Sequence, residues 1–591
     1  MKAFVVVLTV ICNVVAEFKG DTVHWIWTCN LNEERCEKSA ASPVGAEGSS
    51  VYTSPTVCRL TCGKYGALWP QPTIATALTH QLVEVHPDNF FFELEYQQVD
   101  FNDFLEANKK IFIQNLRKEC GGDCSLQTNT KVTIYITITN PDLTLNLYTN
   151  ESYTLEILTR ADFVSVKIYA DNAFGARHAL ETLSQLVASY STPERRVGLV
   201  MVAGARIHDK PVYVHRGLLL DSARNFVSLS SIKRQIDGMA ASKMNVLHWH
   251  LTDTQSFPFE SRSVPQMARY GAYSSDMTYS VEDVEEVVGY GKVRGVRVLL
   301  EVDAPAHAGS GWQWGVQEGL GKLAVCVDKQ PWRKFCIQPP CGQLNPINPN
   351  VYVVLGNLYS ELMQISKESD MFHMGGDEVF IPCWNSSLEI RDYLIAQGKS
   401  QLLTEDFLDL WSHFQKTVLK TFDERTGRDA SIVLWSSKLT TPDVITKYLP
   451  KDRYIIQTWV PASDTLPSDL LNLGYRLIIS TKDAWYLDHG FWGNTRYHDW
   501  RTAYDNLLPN DRGVLGGEAC MWGEYVDGGG LDLKIWPRAA AAAERLWSNP
   551  TSNAGKAEIR FYRHRERLIA RGIKADAVSP RWCYQNEGEC V

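Results

Sequence analysis

The chain has 591 residues, of which 45% are hydrophobic and 21% charged, a balance typical of folded globular proteins that argues against extended disorder. Its formal net charge of −9 is spread along the sequence without a basic stripe, so nucleic acid and anionic membrane surfaces are not expected partners. The length exceeds that of one ordinary domain, and we expect at least two.

Residues 1–16, MKAFVVVLTVICNVVA, have the pattern of a secretory signal peptide. Lys2 supplies the positive charge, an apolar run follows, and Val14 and Ala16 are the small residues before a cleavage site. The run is too short to cross a bilayer, and no later stretch of about 20 apolar residues occurs. We expect an exported protein without a membrane span, secreted or, as the alternative, lysosomal.

Most of the remaining cysteines fall into close sequence neighbourhoods, which in an exported chain predicts disulfides and leaves their connectivity open. The groups are Cys29, Cys36, Cys58 and Cys62; Cys120 and Cys124; Cys326, Cys336, Cys341 and Cys383; and Cys583 and Cys590. Zinc ligation is the alternative, but no group has paired CxxC spacing. Cys520 is left over in an apolar stretch and is expected to be a buried free thiol. Sequons at Asn150 and Asn385 predict N-glycans.

Two smaller segments precede the main one. Residues 17–69 are rich in Cys, Ser and Gly without a sustained period, which predicts a disulfide-tied lead-in. Within residues 70–205, alternating apolar runs at 90–96, 131–138, 153–157 and 164–169 predict strands, and a helical pattern ends near Val187. We predict a small α+β domain here.

From residue 206 to 591, apolar runs of strand length alternate with helical patterns, for example at 231–242, 281–293 and 405–422. The eight runs are VHRGLLLD, NVLHWHLTD, VRVLLEVDAPAH, MFHMGGDE, SIVLWSS, YIIQTWV, YRLIISTKDAWY and GVLGGEACMWGE. Near-continuous apolar strands are covered on both faces, so the fold class is α/β and the prediction is a closed (β/α)₈ TIM barrel. Helical signal is weak after the fifth to seventh strands.

The ends of these eight runs are polar or aromatic, and in such barrels the strand ends form the active-site mouth. They carry Asp221, Arg224, Asp253, Asp303, His307, Asp377, Glu378, Trp435, Trp459, Trp485, Tyr486, Trp522 and Glu524. Carboxylates and arginine form hydrogen bonds with hydroxyl groups, and indole rings pack against the faces of sugar rings. The set therefore predicts a carbohydrate pocket. Taken singly, each Trp also fits a core position and each Asp a helix cap.

Asp377 and Glu378 provide two acids where the fourth strand ends. Neighbouring side chains on a strand point to opposite faces, so both reach the mouth only if the backbone turns, and Gly375-Gly376 allows such a turn. Crowded acids hold a proton more tightly, which suits a general acid for glycoside hydrolysis.

The ordered motifs resemble those of glycoside hydrolase family 20, the β-N-acetylhexosaminidases. They are HMGGDEV, HRGLLLDSARN, NVLHWHLTD, EVDAPAH, YGALWPQPT and GGEACMWGEYVD, between about Tyr65 and Cys590. The Cys-rich lead-in and the layout are most similar to the insect chitooligosaccharide-degrading branch. The resemblance implies an exo-enzyme that releases terminal β-linked GlcNAc, with GalNAc as a further substrate, without a cofactor or metal, and it implies a homodimer.

The resemblance also implies substrate assistance, in which the 2-acetamido oxygen of the sugar attacks the anomeric carbon. Asp377 would orient the acetamido group, and Glu378 would act as general acid and base. His307, linked to Asp253, would tune Glu378. Tyr486 would hydrogen-bond the acetamido oxygen. The remaining implied contacts are Trp435, Trp459 and Trp522 around the methyl group, Trp485 at the strand end beside Tyr486, and Arg224, Asp488 and Glu524 on the ring hydroxyls.

One stretch departs from the insect branch. The loop after the seventh strand, YLDHGFWGNTRYHDW, is shorter, has His489 and no cysteine, and offers only Trp492 and Trp500 to stack on a second sugar. Trimming of N-glycan or glycolipid termini therefore competes with degradation of chitin oligosaccharides as the physiological role.

Two other function classes stay open. A metal-dependent hydrolase could use His248 and His250, which share a strand face, with His307 and His373; packed histidines in the barrel wall are the simpler interpretation. A catalytically silent sugar-binding homologue is the other class, and the presence of both Asp377 and Glu378 argues against it.

Overall fold

The computed structural model describes residues 25–40, 51–52, 54–94, 99–161, 163–191, 196–366, 369–493 and 496–590. The predicted signal peptide, residues 1–16, lies outside this part of the chain. Among the described helices, none is both long and apolar enough to cross a bilayer.

The lead-in is a small three-stranded sheet with one short helix. Its elements are β1 (Trp25–Asn30), β2 (Arg35–Ala40), β3 (Val51–Tyr52) and α1 (Pro55–Arg59), with sheet order β2-β1-β3. The disulfides Cys29–Cys62 and Cys36–Cys58 join α1 and the turn after it to this sheet. Arg59 pairs with the buried Glu587, so the lead-in is fastened to the C-terminal end of the chain.

An α+β region follows. Its strands are β4 (Ala75–Leu78), β5 (Leu82–Val85), β6 (Phe90–Leu94), β7 (Lys131–Ile138), β8 (Tyr153–Arg160), β9 (Phe163–Ala170), β10 (Val187–Ser191), β11 (Val197–Val202) and β12 (Gly204–Asp209), and its helices are α2 (Val99–Glu119) and α3 (Ala173–Gln185). The six-stranded sheet has order β4-β12-β8-β9-β7-β6, and a smaller one has order β10-β11-β5. The four strands and the helix predicted here are present; α2 and the strands β4, β5, β10, β11 and β12 were not predicted. Because β12 runs past residue 205, our domain limits 17–69, 70–205 and 206–591 stay a proposed division.

The third region contains a closed barrel of eight parallel strands, which confirms the predicted fold class and all eight strand positions. In barrel order the strands are β13 (His215–Asp221), β14 (Val246–Thr252), β15 (Arg297–Val302), β18 (Met371–His373), β19 (Ser431–Trp435), β20 (Tyr454–Thr458), β21 (Arg476–Ile479) and β22 (Val514–Met521). A separate pair, β16 (Ala324–Val325) and β17 (Gln343–Leu344), lies in the loop after β15.

Helices surround the barrel, and side-chain caps define several of their starts. Ser280 and Asp283, for example, form a capping box at the helix that begins at Val281. The helices are α4 (Leu229–Ala241), α5 (Gln266–Gly271), α6 (Val281–Val293), α7 (Pro349–Ile365), α8 (Ile381–Asn385), α9 (Leu388–Ala396), α10 (Thr404–Thr426), α11 (Ile445–Tyr448), α12 (Leu466–Asn472), α13 (Lys482–Trp485), α14 (Trp500–Asp505), α15 (Leu531–Ile535), α16 (Arg538–Ser548), α17 (Ala554–Ala570) and α18 (Arg581–Gln585). Short 3₁₀ turns occupy Pro87–Asn89, Gln313–Val316, Trp332–Lys334 and Lys438–Thr440. The helices after β19 to β21 are short, which explains their weak sequence signal.

Strand alternation divides each barrel strand between two environments, because successive side chains point to opposite faces. On β14, Leu247 and Trp249 pack outward in the main core beneath the helices, and Val246 belongs to a separate apolar cluster inside the barrel. His248 and His250 follow Val246 on the inward face. The barrel interior is therefore apolar at one end and becomes polar toward the carboxyl ends of the strands.

The cysteines pair within the predicted neighbourhoods. In addition to the two lead-in bridges, the disulfides are Cys120–Cys124, Cys326–Cys383, Cys336–Cys341 and Cys583–Cys590. Cys520 is a buried free thiol, as predicted, and lies on β22 inside the barrel. Its cluster contains Leu219, Trp435 and Tyr486, so it packs directly beneath aromatic side chains of the mouth.

Candidate active site

A cavity of about 290 Å³ opens at the carboxyl ends of the barrel strands. Ten of the predicted site residues line it: Arg224, His307, Asp377, Glu378, Trp435, Trp459, Tyr486, Asp488, Trp522 and Glu524. The strand ends therefore converge on a single pocket, as (β/α)₈ geometry requires.

The backbone after β18 turns so that both acids face the cavity. Gly375, Gly376 and Glu378 have φ angles of 66°, 92° and 47°, in the left-handed region. A side chain at Gly375 is excluded, because its Cβ would lie 1.7 Å from Oδ1 of Asp303. Residues other than glycine rarely adopt the left-handed conformation, so the backbone at Glu378 is strained. Backbone strain of this kind is concentrated at functional sites.

Asp303 supports this turn from below. It is buried, its Oδ1 accepts a hydrogen bond from the Gly376 backbone N–H at 2.9 Å, and its side chain hydrogen-bonds Asp377. Burial and the charge of Asp377 raise the pKa of Asp303 well above its ordinary value. Asp303 therefore binds a proton more readily than an ordinary aspartate, and in its protonated form it can donate to the Asp377 carboxylate. Burial and the charge of Glu378 in turn raise the pKa of Asp377, against the opposing charge of His307.

His307 stands between Asp253 and the acid pair. Its Nδ1 lies 3.0 Å from Oδ2 of Asp253, and its Nε2 lies 3.4 Å from Oε2 of Glu378 and 3.8 Å from Oδ2 of Asp377. Burial opposes a charged imidazole, but the charges of Asp253 and Asp377 outweigh burial and raise the pKa of His307 well above its ordinary value. Burial alone would raise the pKa of Glu378, but the neighbouring His307 imidazole lowers it instead.

Asp253 lies behind the cavity and joins two functions. It accepts from His307 on one side and pairs with Arg224 Nη2 at 2.7 Å on the other. Arg224 also donates from Nη1 to Oδ2 of Asp221 at 2.9 Å and from Nε to Gln255. The guanidinium is thereby fixed at the cavity, with each of its three nitrogens held by a side-chain oxygen.

Aromatic side chains form one wall of the cavity. The Trp435 and Trp522 ring centroids are 5.6 Å apart, and Tyr486 and Trp522 are 6.2 Å apart. Trp459 is held by a hydrogen bond from its Nε1 to the carbonyl of Ser436 at 2.8 Å. Burial raises the pKa of the Tyr486 hydroxyl well above its ordinary value, so it is a hydrogen-bond donor at all physiological pH values.

The opposite rim is acidic. Burial and the charge of Glu524 raise the pKa of Asp488 to about 7, and burial raises that of Glu524. Within the described residues, Oδ1 of Asp488, Oε2 of Glu524 and Oδ1 of Asp377 are buried and have no hydrogen-bond partner. Buried polar atoms are nearly always hydrogen-bonded in proteins, so three unsatisfied oxygens at one cavity indicate a polar ligand.

Four of the predicted strand-end residues do not line the cavity: Asp221, Asp253, Asp303 and Trp485. Asp221 contacts Arg224 and Asp303 supports the turn at Gly376, as described above. Asp253 acts from behind the cavity, as the link to His307 implies. Trp485 is fully buried in the core on α13, where its Nε1 donates to the carbonyl of Ala503 at 2.8 Å and its ring packs beside Gly517. This position does not fit the predicted contact with substrate, because the helical turn after β21 directs Trp485 outward and Tyr486 inward; we assign Trp485 to the core.

Several lining residues were not predicted. They are Ile337, Gln338, Lys482, Gly490 and Gly493. Lys482 begins α13, and the other four come from loops rather than strand ends. The Cys336–Cys341 bridge fixes the loop of Ile337 and Gln338, and the bracketing cysteines were the available sequence signal.

The loop after β21 contributes one of its two tryptophans. Trp492 lines the cavity, is 42% exposed, and packs edge-on against Phe491 and Trp332. Trp500 is buried and stacks on Phe561 with centroids 4.2 Å apart. Of the two tryptophans, Trp492 is therefore the one with an exposed ring at the cavity mouth.

Of the four histidines considered as metal ligands, His248 and His250 have both ring nitrogens engaged by carboxylates. Oxygens of Glu518 and Glu301 lie 2.8 and 2.9 Å from the two ring nitrogens of His248. The nitrogens of His250 are bound in the same way by Glu301 and Asp253, at 2.6 and 3.0 Å. Nitrogens that donate to carboxylates have no lone pair for an ion, which favours packed, ion-paired histidines over a metal site.

Comparison with known protein families gives two matches. Residues 213–550 match the family described as "Glycosyl hydrolase family 20, catalytic domain", and residues 68–186 match the one described as "beta-acetyl hexosaminidase like". The larger match covers the entire barrel and every residue that lines the cavity.

Curated relatives and solved structures agree with these matches. The chitooligosaccharidolytic β-N-acetylglucosaminidase of Bombyx mori is 42% identical over 583 residues, covering 96% of this chain and 95% of that protein. The protein of the same name from Ostrinia furnacalis is 41% identical over 600 residues, covering 99% and 98%. The exo-β-N-acetylglucosaminidase of Vibrio harveyi superimposes with a TM-score of 0.68 at 21% identity, covering 92% of this chain and 83% of that one, a likeness of fold.

Proposed function

This chain belongs to glycosyl hydrolase family 20, and from that premise we propose that it is a retaining exo-β-N-acetylglucosaminidase that removes terminal non-reducing GlcNAc by substrate-assisted catalysis. The observation that carries the proposal is the cavity itself. Three buried carboxylate oxygens without partners in the described residues face one space walled by indoles. A sugar ring with an acetamido group would offer hydrogen-bond donors to these oxygens and apolar surface to the indoles.

Asp377 is the residue that would orient the nucleophile. Its unsatisfied Oδ1 can accept the acetamido N–H, while the Asp303 hydrogen bond holds the carboxylate in place. The acetamido oxygen then attacks C1, and the bond between C1 and the leaving oxygen breaks. The resulting oxazolinium carries positive charge beside the Asp377 carboxylate, which stabilises it. Trp435, Trp459 and Trp522 would exclude water from the acetamido methyl, and Tyr486 would hydrogen-bond its oxygen.

Glu378 would supply the proton to the leaving oxygen. With an imidazolium at 3.4 Å, the pair formed by Glu378 and His307 holds one exchangeable proton. In the free site this proton resides on His307. As substrate displaces water, it transfers to Glu378 and then to the leaving oxygen. In the second half-reaction Glu378 takes a proton from the water that attacks C1 and reopens the oxazolinium ring.

The acidic rim and Arg224 would bind the ring hydroxyls. Arg224 is fixed by Asp221 and Asp253, and Asp488 and Glu524 each offer a buried oxygen. These groups enclose one terminal sugar, which accounts for exo-action. Whether GalNAc is also accepted depends on how Asp488 and Glu524 tolerate the epimeric hydroxyl.

Chitin oligosaccharides are the substrates that we propose. Two relatives named chitooligosaccharidolytic match almost the entire chain, and Trp492 offers an exposed ring at the mouth for a second sugar. The competing proposal, trimming of N-glycan or glycolipid termini, rests on the cysteine-free loop that carries Trp492.

The test is hydrolysis of a chromogenic β-GlcNAc glycoside, followed by kcat/KM for chitotriose beside a GlcNAc-terminated biantennary N-glycan. Turnover that withstands a chelator and is inhibited by an oxazoline-mimicking thiazoline supports the proposal. Chelator-sensitive turnover would favour a metal hydrolase, and binding of GlcNAc without turnover would favour a silent lectin-like homologue. A higher kcat/KM for the N-glycan than for chitotriose would favour trimming of N-glycan termini over degradation of chitin oligosaccharides.

We also propose that the protein is exported, glycosylated and homodimeric. The six disulfides in the described residues support export. Asn150 is exposed and Asn385 is half-buried beside the Cys383 bridge, so Asn150 is the more accessible sequon. The homodimer follows from the family premise. Glycosidase digestion and light scattering of the secreted protein test these points.

A further inference from the structure

Glu301 is a fully buried carboxylate inside the barrel, and it does not line the catalytic cavity. Its Oε2 accepts hydrogen bonds from His248 Nε2 at 2.9 Å and His250 Nδ1 at 2.6 Å. Its Oε1 accepts from Trp435 Nε1 at 2.8 Å and lies 3.1 Å from His373 Nδ1. One carboxylate on β15 thus fixes side chains from three other barrel strands.

The two oxygens lead to opposite sides of the site. Through Oε1, Glu301 orients Trp435, whose ring forms the aromatic wall. Through Oε2 it holds His250, whose Nε2 lies 3.0 Å from Oδ2 of Asp253. Asp253 in turn holds His307 and Arg224. The wall and the proton-transfer groups therefore share a single anchor.

The anchor also sets the charge of His250. Both nitrogens of this ring lie against carboxylates, Glu301 and Asp253, so both carry protons and the ring is an imidazolium. Burial opposes that charge, but the charge of Glu301 outweighs it and raises the pKa of His250 well above its ordinary value. The ionisable groups around it come from three strand ends: Glu301, Asp303, Asp253 and Asp221.

A neutral side chain at position 301 would undo this arrangement. Without one of its two anions, buried His250 would lose a proton, because burial penalises the charged form. A neutral imidazole donates from one nitrogen only. His250 could then hold either residue 301 or Asp253. Loss of the contact with His250 would leave Asp253 held by Arg224 and Thr254 alone and would change its placement against His307.

We propose that Glu301 is a positioning residue that sets the placement of the aromatic wall relative to the Asp253–His307–Glu378 relay, acting through Trp435 on one oxygen and His250 on the other. The inference rests on the proposed function, since the relay and the wall take their roles from it. Glu301 itself touches neither the substrate nor the reacting atoms.

Glu518 provides a matched control. It is equally buried on β22, and its oxygens lie 2.6 Å from His215 Nε2, 2.8 Å from His248 Nδ1 and 2.7 Å from Gln457 Nε2. Of these partners, none is among the residues that line the cavity. Glu518→Gln therefore removes a buried charge of the same kind without a direct bond to the wall or the relay.

The experiment compares the wild-type protein, Glu301→Gln and Glu518→Gln by thermal unfolding, by the pH profile of kcat/KM on a chromogenic β-GlcNAc glycoside, and by NMR of ¹⁵N-labelled histidines. Both variants should lose thermal stability. Only Glu301→Gln should lower kcat/KM about 100-fold, the order expected of a misplacement near 1 Å, and change the shape of the pH profile. Only Glu301→Gln should also move the His250 and His307 resonances.

Glu301→Asp is the second variant. It keeps the charge but its shorter side chain cannot reach Trp435 and His250 together, so KM should rise while the shape of the pH profile is retained. Wild-type kinetics in Glu301→Asp, or unchanged His307 resonances in Glu301→Gln, would overturn the positioning role. The NMR readout needs no turnover, so an inactive wild-type protein would refute the proposed function separately.

Discussion

Nε2 of His307 lies 3.4 Å from Oε2 of Glu378, and the other nitrogen of the same ring lies 3.0 Å from Asp253. A buried imidazolium is thus placed against the group that must gain and lose a proton. Since its charge is maintained by an anion on another strand, the protonation of Glu378 depends on residues that do not contact it.

Glu378→Gln should nearly abolish turnover, because the amide cannot donate a proton to the leaving oxygen. General acid–base groups contribute about 10²- to 10⁴-fold, and a loss in that range of kcat is expected on a chromogenic β-GlcNAc glycoside. The fold should persist, since Gln keeps the shape. Retention of more than a tenth of wild-type kcat would remove Glu378 from the proposed role.

The pH profile of kcat/KM should be bell-shaped with limbs set by Asp377 and His307. The ionised form of Asp377 is lost as pH falls through a pKa raised above 3.8, so the acid limb lies above that value. The protonated form of His307 is lost as pH rises through a pKa raised above 6.5, so the alkaline limb lies above that value.

Asp253→Asn removes the largest charge that raises the pKa of His307. The alkaline limb should therefore move to lower pH, while the acid limb, which reports Asp377, should move much less. Steady-state kinetics between mildly acidic and alkaline pH measure both. An alkaline limb that stays in place or moves upward would contradict the proposed proton on His307.

Asp377→Asn should impair the assisted step specifically. The variant loses the anion that stabilises the oxazolinium, and removal of one such electrostatic contact costs about 10²- to 10³-fold in kcat. Affinity for a thiazoline inhibitor should fall with it. Equal wild-type rates on glycosides with and without the 2-acetamido group would eliminate the assisted mechanism altogether.

Gly375→Ala should unfold or inactivate the protein, because its Cβ would collide with Asp303 at 1.7 Å. Gly398→Ala is the control: Gly398 also has a left-handed backbone, with φ of 81°, but no atom lies within 4 Å of the added Cβ. The control should lose only about 1–2 kcal/mol of unfolding free energy, the conformational cost alone. Equal losses in the two variants, measured by chemical denaturation, would show that the collision is relieved.

Trp492→Ala should reduce kcat/KM for chitotriose while sparing small chromogenic glycosides, since the exposed ring lies at the mouth. Aromatic packing contributes about 0.5–1.5 kcal/mol, which corresponds to roughly 2- to 10-fold. Trp582→Ala is the control, because the Trp582 side chain is also exposed, at 56%, but does not line the cavity. Equal effects on both substrates would remove Trp492 from oligomer recognition.

The barrel and the strand-end residues were predictable because periodicity and position determine them. A polar or aromatic side chain at the carboxyl end of a barrel strand lies at the mouth of the barrel. Arg224, Trp459 and Trp522 could therefore be assigned to the mouth from the sequence alone. The same reasoning misassigned Trp485, because it lies in a helical turn after β21 rather than on the strand, and a turn reverses which neighbour faces inward.

The interior network and the loop residues were not predictable in the same way. Glu301 is one polar residue in the apolar run VRVLLEV, and only the register of β14, β15, β18 and β19 reveals that it joins His250 to Trp435. Gln338 reaches the cavity through a loop whose path depends on the Cys336–Cys341 bridge, which spacing suggested but could not orient.

Cys520 has a practical consequence for studying this protein. Among the described cysteines it is the single free thiol, and it is sealed beneath Trp435 and Tyr486. A maleimide or disulfide reagent can reach this thiol only when the barrel opens below the aromatic wall. The rate at which Cys520 is labelled therefore reports how often the barrel opens there. A substrate analogue that binds against the aromatic wall should lower this labelling rate, and the measurement needs no engineered cysteine.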